Sequence, residues 1–187
     1  MWPYLTIAEE VLTPDTPKLL ITHGLSGSGK STVAQEWVEQ AGVIRLRSDV
    51  ERKRLFGLAP NDDSGSAMDA GIYTGEATAR TYDRLMELAR RVLRAGYTPL
   101  VDATFLRASE RHQYHDLAAA EGAAFGILAL DVPEATLRER LRQRAAMAGE
   151  ASKADGRVLD HQLERLEPLT ATERDHCLGL EPHGVDG

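Results

Sequence analysis

A single cysteine, Cys177, stands in 187 residues, so no disulfide can form within the chain. That usage fits a reducing compartment. Aromatic residues make up only 5%. No apolar run approaches the ~20 residues that a membrane-spanning helix needs. The opening Met1-Trp2-Pro3-Tyr4 has neither the basic n-region nor the apolar h-region of a signal peptide. These absences lead to the expectation of a soluble, cytoplasmic domain. Positive charge is also short: 22 Lys and Arg against 29 Asp and Glu leave a net charge of −7. A general nucleic-acid scaffold draws its affinity from Lys and Arg on phosphates, so that class is disfavoured, although a local basic cleft is not. What remains is ordinary for a globular chain, 42% hydrophobic and 27% charged, and long enough for one domain with a full core.

Against this plain background one segment stands out. Gly24-Leu25-Ser26-Gly27-Ser28-Gly29-Lys30-Ser31, followed by Thr32, is a complete phosphate-binding loop. It follows the apolar run Leu19-Leu20-Ile21-Thr22 and opens a segment that reads as a helix to Ala41. The chemistry needs that order. Glycines let successive N–H groups turn inward around a phosphate, and the helix N-terminus adds partial positive charge. Lys30 can reach β- and γ-phosphates, and the Ser31 hydroxyl can ligate Mg²⁺. The motif therefore implies binding of a nucleoside triphosphate.

The remaining chain alternates between two periods. Strands are expected at about 18–23, 43–46, 98–101 and 125–130, with a weak fifth near 177–180. Helices are expected at about 30–41, 50–56, 72–95, 108–121, 133–148 and 157–167, with Gly42, Gly96 and Gly122 as stops. A polar loop covers 57–69, and a second polar stretch covers 149–156. This alternation predicts an α/β, three-layer P-loop NTPase fold: a mostly parallel five-stranded sheet, helices on both faces and a helical lid at about 133–156. Residues 1–17 read as an irregular lead-in, 18–180 as a single domain and 181–187 as a loose tail. Ligands of such sheets bind beyond the carboxyl ends of the strands. That rule gathers Gly24–Ser31, Ser48-Asp49 and Asp102-Ala103-Thr104 at one edge.

Phosphoryl transfer asks little covalent chemistry of the protein. It needs Mg²⁺, positive charge around the moving group and a residue that orients the acceptor and accepts its proton. Asp49, after the second strand, suits the last role. It also reads as a helix-start residue, because Ser48 and Glu51 fit a Ser-x-x-Glu capping box. The two readings are compatible. Arg52, three residues on, could grip an acceptor phosphate or carboxylate, or be a solvated arginine beside Lys53 and Arg54. Asp102 ends the run Leu100-Val101 where a carboxylate holds a Mg²⁺ shell, with a helix-capping turn as the alternative. Along 137–145, Leu137, Leu141 and Ala145 mark an apolar face; Arg138 and Arg142 fall to its side, with Glu134 placed to pair with Arg138. Arg144 falls near the apolar stripe and Arg140 just beyond it, and an inward arginine needs an anion. Tyr73 and Arg80 are candidates for contacting the acceptor, with Glu76–Arg80 a helix pair. His23 reads as a packed strand-end histidine. His112 and His115 stand three apart without a third ligand beside them, so the six histidines yield no metal set.

Taken together, these segments resemble a bacterial family of P-loop kinase-like domains grouped with polynucleotide 5′-hydroxyl kinases, zeta-toxin-type kinases and small sugar-acid kinases. The matching pieces are Gly24–Thr32, Arg47–Leu55, Tyr73–Leu85, Val101–Phe105, Leu137–Arg144, Gln162-Leu163-Glu164 and Glu167-Pro168-Leu169, which span most of residues 18–170. The resemblance implies ATP and Mg²⁺, with Asp49 as acceptor-activating base, Arg52 as substrate-binding residue and Arg140 or Arg144 as the lid arginine. Relatives often follow an aminoglycoside-phosphotransferase-like domain, which these residues do not contain. The expected function is transfer of the γ-phosphoryl group of ATP to a hydroxyl of a small metabolite or a polynucleotide 5′ end. The alternative is a nucleotide-binding switch, or an ATPase without an acceptor. No Asn-Lys-x-Asp guanine-reading element is present.

Overall fold

The computed structural model describes residues 16–59, 74–147 and 153–178, with backbone alone at 144, 145, 147 and 153–155. β1 (Lys18–His23) leads through the phosphate loop into α1 (Lys30–Ala41), and β2 (Ile44–Arg47) runs directly into α2 (Ser48–Leu55). α3 (Gly75–Arg94) precedes β3 (Pro99–Asp102), and α4 (Ala108–Ala120) precedes β4 (Ala124–Ala129). α5 (Glu134–Met147), α6 (Lys153–Arg165) and the short α7 (Ala171–Asp175) follow. No helix among the described residues is long and apolar enough to cross a membrane.

All strand pairs are parallel, in the order β2-β3-β1-β4. The α/β architecture is as expected, but the sheet has four strands among the described residues rather than five. Of the expected fifth strand, Cys177 makes one parallel bridge to Ile127. The reason is local: α7 runs to Asp175, and the N–H groups of His176 and Cys177 still bond back to Glu173 and Arg174. Residues 179–180, like 60–73 and the terminal segments 1–15 and 181–187, lie outside the described residues.

β1 has no solvent face. Leu19 and Ile21 pack with Tyr82, Leu85 and Leu93 of α3 and Tyr114 and Leu117 of α4, whereas Leu20 packs with Ala34, Trp37 and Ala41 of α1. A fully buried Leu or Ile contributes about 1.5–3 kcal/mol. A one-residue slip would exchange the two faces and misplace all three, so the register is firmly set. A third cluster joins Leu25 of the phosphate loop to Leu137 and Leu141 of α5, Leu159 of α6 and Leu106. That cluster seats α5 and α6 on the loop.

Helix starts depart from expectation in one instructive way. Ser48 is already the first helical residue; Arg47 is the N-cap, and no side chain caps it. Glu51 is buried and turned away, paired with Arg54 at 2.5 Å and Arg84 at 3.5 Å. The capping box lies instead at α7: Thr170 Oγ1 accepts from the Glu173 N–H at 3.2 Å, and Glu173 Oε2 accepts from the Thr170 N–H at 2.8 Å. α6 also begins at Lys153, inside the stretch expected to be irregular to 156.

Candidate active site

Three glycines give the phosphate loop its shape. Gly24, Gly27 and Gly29 sit at φ +149°, +84° and +97°, all in the positive region that side chains rarely adopt. Gly24 leaves β1 by donating to the Thr104 carbonyl at 3.2 Å, while Leu130 N–H bonds to the His23 carbonyl at 2.8 Å. A Cβ on Gly24 would stand 2.8 Å from the Leu130 oxygen and 2.9 Å from Ser28 Oγ. Gly29 caps α1. Within the loop, Lys30 Nζ donates to the Leu25 carbonyl at 2.7 Å. Ser28 Oγ is buried and lacks a hydrogen-bond partner among the described residues. A buried hydroxyl without a partner is uncommon, and an acceptor brought by a ligand would satisfy it. On this observation the loop fits a phosphate.

The sheet brings the expected metal pair together. Ser31 Oγ at the start of α1 lies 3.4 Å from Asp102 Oδ2 at the end of β3. A hydroxyl and a carboxylate form a hard-oxygen donor pair that suits Mg²⁺. Arg45 shares Asp102: its Nε donates to Oδ2 at 3.0 Å and its Nη2 reaches the same oxygen, while Nη1 meets Gln35 Oε1 at 3.4 Å. The alternation Ile44-Arg45-Leu46-Arg47 puts both arginines on one face of β2, and Arg47 is register partner to Asp102. That period of two is the signal that could have found Arg45 and Arg47 in the sequence.

Asp49 lies in the first turn of α2, at the same sheet edge. Its carboxylate accepts from Arg47 Nε at 3.1 Å and Nη2 at 2.6 Å, a bidentate fork. Partial burial works against its charge, but the Arg47 hydrogen bonds and charge outweigh it, holding the carboxyl below the ordinary aspartate range. Arg52 Nη1 donates to Thr78 Oγ1 of α3 at 3.1 Å, tying α2 to α3. The Arg80 guanidinium rests over the Phe56 ring at 5.8 Å rather than pairing with Glu76. Tyr73 lies outside the described residues. On the lid side, Arg140 Nη1 donates to the Gly27 carbonyl at 3.3 Å, so this arginine reaches the loop. Arg144 lies one turn further along α5, and its side chain is outside the described residues. Arg138 pairs with Glu134 and Asp160, and Arg142 with Glu139, as a solvated face should.

Two further contributors escape local patterning. Gln162 Oε1 of α6 accepts the Ser26 N–H at 2.8 Å, so α6 holds a loop amide directly. The turn after β3 passes through Phe105 at φ +47°, the one positive-φ non-glycine among the described residues. Its N–H donates to Tyr82 Oη at 3.1 Å, and its carbonyl accepts from His23 Nδ1–H and Arg111 Nη1, each at 3.0 Å. Burial lowers the His23 pKa and keeps the ring neutral. It also pushes the Tyr82 pKa up to about 12, so the hydroxyl stays protonated. Arg111 is buried and is clamped by Glu173 at 2.6 and 3.1 Å. These holds place Thr104, whose carbonyl anchors Gly24.

Comparison with known proteins places this geometry in a family: the chain belongs to the family described as AAA domain, which matches residues 19–169. An uncharacterized protein of Mycobacterium tuberculosis (strain ATCC 25618 / H37Rv) is 28% identical over 102 residues, 54% of this chain. That match covers only 20% of the relative's own length. A sugar kinase from Janibacter sp. HTCC2649 shares the fold with a TM-score of 0.61 and 20% identity, over 87% of this chain and 83% of the other. The Mycobacterium tuberculosis APS kinase CysC, solved with AMPPNP and APS, aligns with a TM-score of 0.54 and 26% identity over 72% and 73%. A chain of the Pnkp1/Rnl/Hen1 RNA repair complex aligns with a TM-score of 0.55 and 21% identity over 84% and 49%. The fold is therefore that of P-loop kinases.

Proposed function

We propose that this chain is a cytoplasmic, Mg²⁺-dependent kinase that moves the γ-phosphoryl group of ATP to a hydroxyl of a small metabolite or a polynucleotide 5′ end. The observation that carries this reading is the meeting of Ser31 and Asp102 beside the phosphate loop, with Asp49 beyond the neighbouring strand. The kinases that share the fold support it.

In this reading the Gly24–Thr32 loop wraps the phosphates, with the N–H groups of Gly27, Gly29, Lys30 and Ser31 turned toward them while those of Gly24 and Ser26 stay on Thr104 and Gln162. Lys30 exchanges the Leu25 carbonyl for β- and γ-phosphate oxygens. Ser31 and Asp102 would hold the Mg²⁺, whose chemistry is to neutralise charge gathering on the phosphates. Asp49 orients the acceptor hydroxyl. As the acceptor oxygen bonds to the γ-phosphorus, the bond from that phosphorus to the bridging oxygen breaks, ADP departs and the hydroxyl proton passes to Asp49. A carboxyl of lowered pKa suits late proton transfer, because the loose transition state asks for little base strength. Arg52, Tyr73 and Arg80 contact the acceptor. Arg140 and Arg144 place positive charge on the phosphoryl group in flight.

One observation favours a second reading, a nucleotide-binding switch or ATPase without an acceptor: Arg47 already engages both oxygens of Asp49. A screen with radiolabelled ATP across 5′-hydroxyl oligonucleotides, nucleosides, sugar acids and aminoglycosides separates the two. The kinase reading expects label in one acceptor class, lost in Lys30→Ala. ATP turnover indifferent to every acceptor would favour the switch.

A further inference from the structure

The carboxyl edge of the sheet uses none of the histidines of α4. His112, His115 and Asp116 fall on successive turns of one helix face, at i, i+3 and i+4. One ring nitrogen from each histidine and one carboxylate oxygen lie within 4.8 Å of one another. His112 Nε2 stands 3.5 Å from Asp116 Oδ2, and His115 Nδ1 stands 3.7 Å from Oδ1. These separations exceed a good hydrogen bond, so the carboxylate is shared between two imidazoles without being locked to either. The His112 and His115 rings are within 10° of parallel, at a centroid spacing of 6.3 Å.

The neighbourhood orients one of these donors. His115 meets the Phe125 ring edge-on at 5.4 Å, and the His176 ring lies 5.2 Å away. His112, His115, Phe125 and His176 line one groove, a cavity of about 540 Å³ between α4, the start of β4 and α7. The third donor was not apparent from histidine spacing alone; Asp116 completes it one residue beyond His115.

We propose that His112, His115 and Asp116 form a binding site for one divalent transition-metal ion, separate from the phosphate loop. Two imidazole nitrogens and one carboxylate oxygen select Zn²⁺, Co²⁺, Ni²⁺ or Cu²⁺ over the oxygen-preferring Mg²⁺ and Ca²⁺. A tetrahedral ion bound at ~2.0–2.2 Å draws its donors to about 3.5 Å apart. The closure needed is small, and the side chains, 74%, 42% and 62% exposed, can make it by rotation. Coordination positions beyond these three point to solvent or to the groove, where an outside ligand can enter. Because the chelate spans one turn of α4, the bound ion also staples that helix.

The test uses the nucleotide-free protein after EDTA treatment and desalting, titrated with Co²⁺ by visible absorption and with Zn²⁺ by calorimetry. The expected result is one ion per chain, intense four- or five-coordinate Co²⁺ bands and a rise in Tm. His112→Ala and Asp116→Asn should each weaken binding about tenfold or more, by analogy with the loss of other metal-site groups. The double variant His112→Ala/His115→Ala should abolish it. His112→Ala and Asp116→Asn replace exposed residues and should leave the metal-free Tm and circular dichroism unchanged. The double variant also gives up the half-buried His115 ring contacts with Phe125 and His176, so it should keep its circular dichroism with a small fall in Tm, and lost binding will not reflect unfolding. Absence of Co²⁺ binding up to millimolar concentration, or binding that survives the double variant, overturns the proposal. Neither outcome bears on the kinase reading, which concerns the opposite set of residues.

Discussion

Replacing Asp49 by asparagine separates a chemical role from a structural one, because the two predict effects of very different size. The carboxylate accepts two hydrogen bonds from Arg47, but the partners are 48% and 59% exposed. Exposed pairs contribute about 0.2–1 kcal/mol. A negative charge in the first turn of a helix adds about 0.3–1 kcal/mol. Asparagine retains one oxygen for Arg47, so the expected loss is about 1 kcal/mol, a fall in Tm of roughly 2–4 °C for a domain of this size. Loss of a general base costs about 10²–10⁴-fold in rate. At ~1.36 kcal/mol per decade, that is roughly 3–5 kcal/mol of barrier. Differential scanning fluorimetry, ATP calorimetry and acceptor phosphorylation should therefore report a stable, ATP-binding protein that no longer transfers phosphate. The pH dependence has a definite sign. Burial raises the Asp49 pKa and Arg47 lowers it further, leaving the folded value below the unfolded one. The stability due to this carboxylate is then present above the unfolded pKa, near ~3.9, and is lost as pH falls through the folded value. Parent and variant should differ slightly in Tm at neutral pH and converge as pH falls through the folded value. Normal transfer by the variant, or a loss of several kcal/mol, would refute the reasoning.

Two other perturbations probe the frame around the site. Gly24→Ala places a Cβ 2.8 Å from the Leu130 carbonyl oxygen at φ +149°, so the loop must move. ATP affinity measured by calorimetry should fall at least tenfold. Arg111→Met keeps much of the volume but strands Glu173 and the carbonyls of Phe105, Leu106 and Pro168. Breaking a buried pair from one side costs about 3–5 kcal/mol, to be read from urea unfolding; a loss under about 1 kcal/mol would show that water replaces the guanidinium.

What was legible in the sequence was local. Leu19-Leu20-Ile21 marked a buried strand, Gly42 ended α1 where expected, and the loop glycines stood at fixed spacing. What was not legible depended on partners far along the chain. Ser48/Glu51 and Thr170/Glu173 both satisfy Ser/Thr-x-x-Glu, yet only the second forms the box. Glu51 is drawn toward Arg84 of α3, whereas Glu173 reaches Arg111 and still accepts the Thr170 N–H. Arg111 reads as a surface arginine between Glu110 and His112 until the turn at 105–106 and the segment at 168–173 close over it. Gln162 stood in a matching segment without a role, because its partner, the Ser26 N–H, lies 136 residues earlier.

The strand order has a consequence in time. β1 is made before both of its hydrogen-bonding neighbours, β3, reached at Pro99, and β4, which ends at Ala129. The Gly24 amide likewise waits for the Thr104 carbonyl. At ~5–20 residues per second, several seconds separate the making of the phosphate loop from the arrival of the strands that shape it. During that interval α1 can cover Leu20, but Leu19 and Ile21 wait for α3 and the strand has no sheet partner. The part of the site made first is thus completed late, and the nascent chain passes through a window in which a strand destined for the core is open to wrong partners.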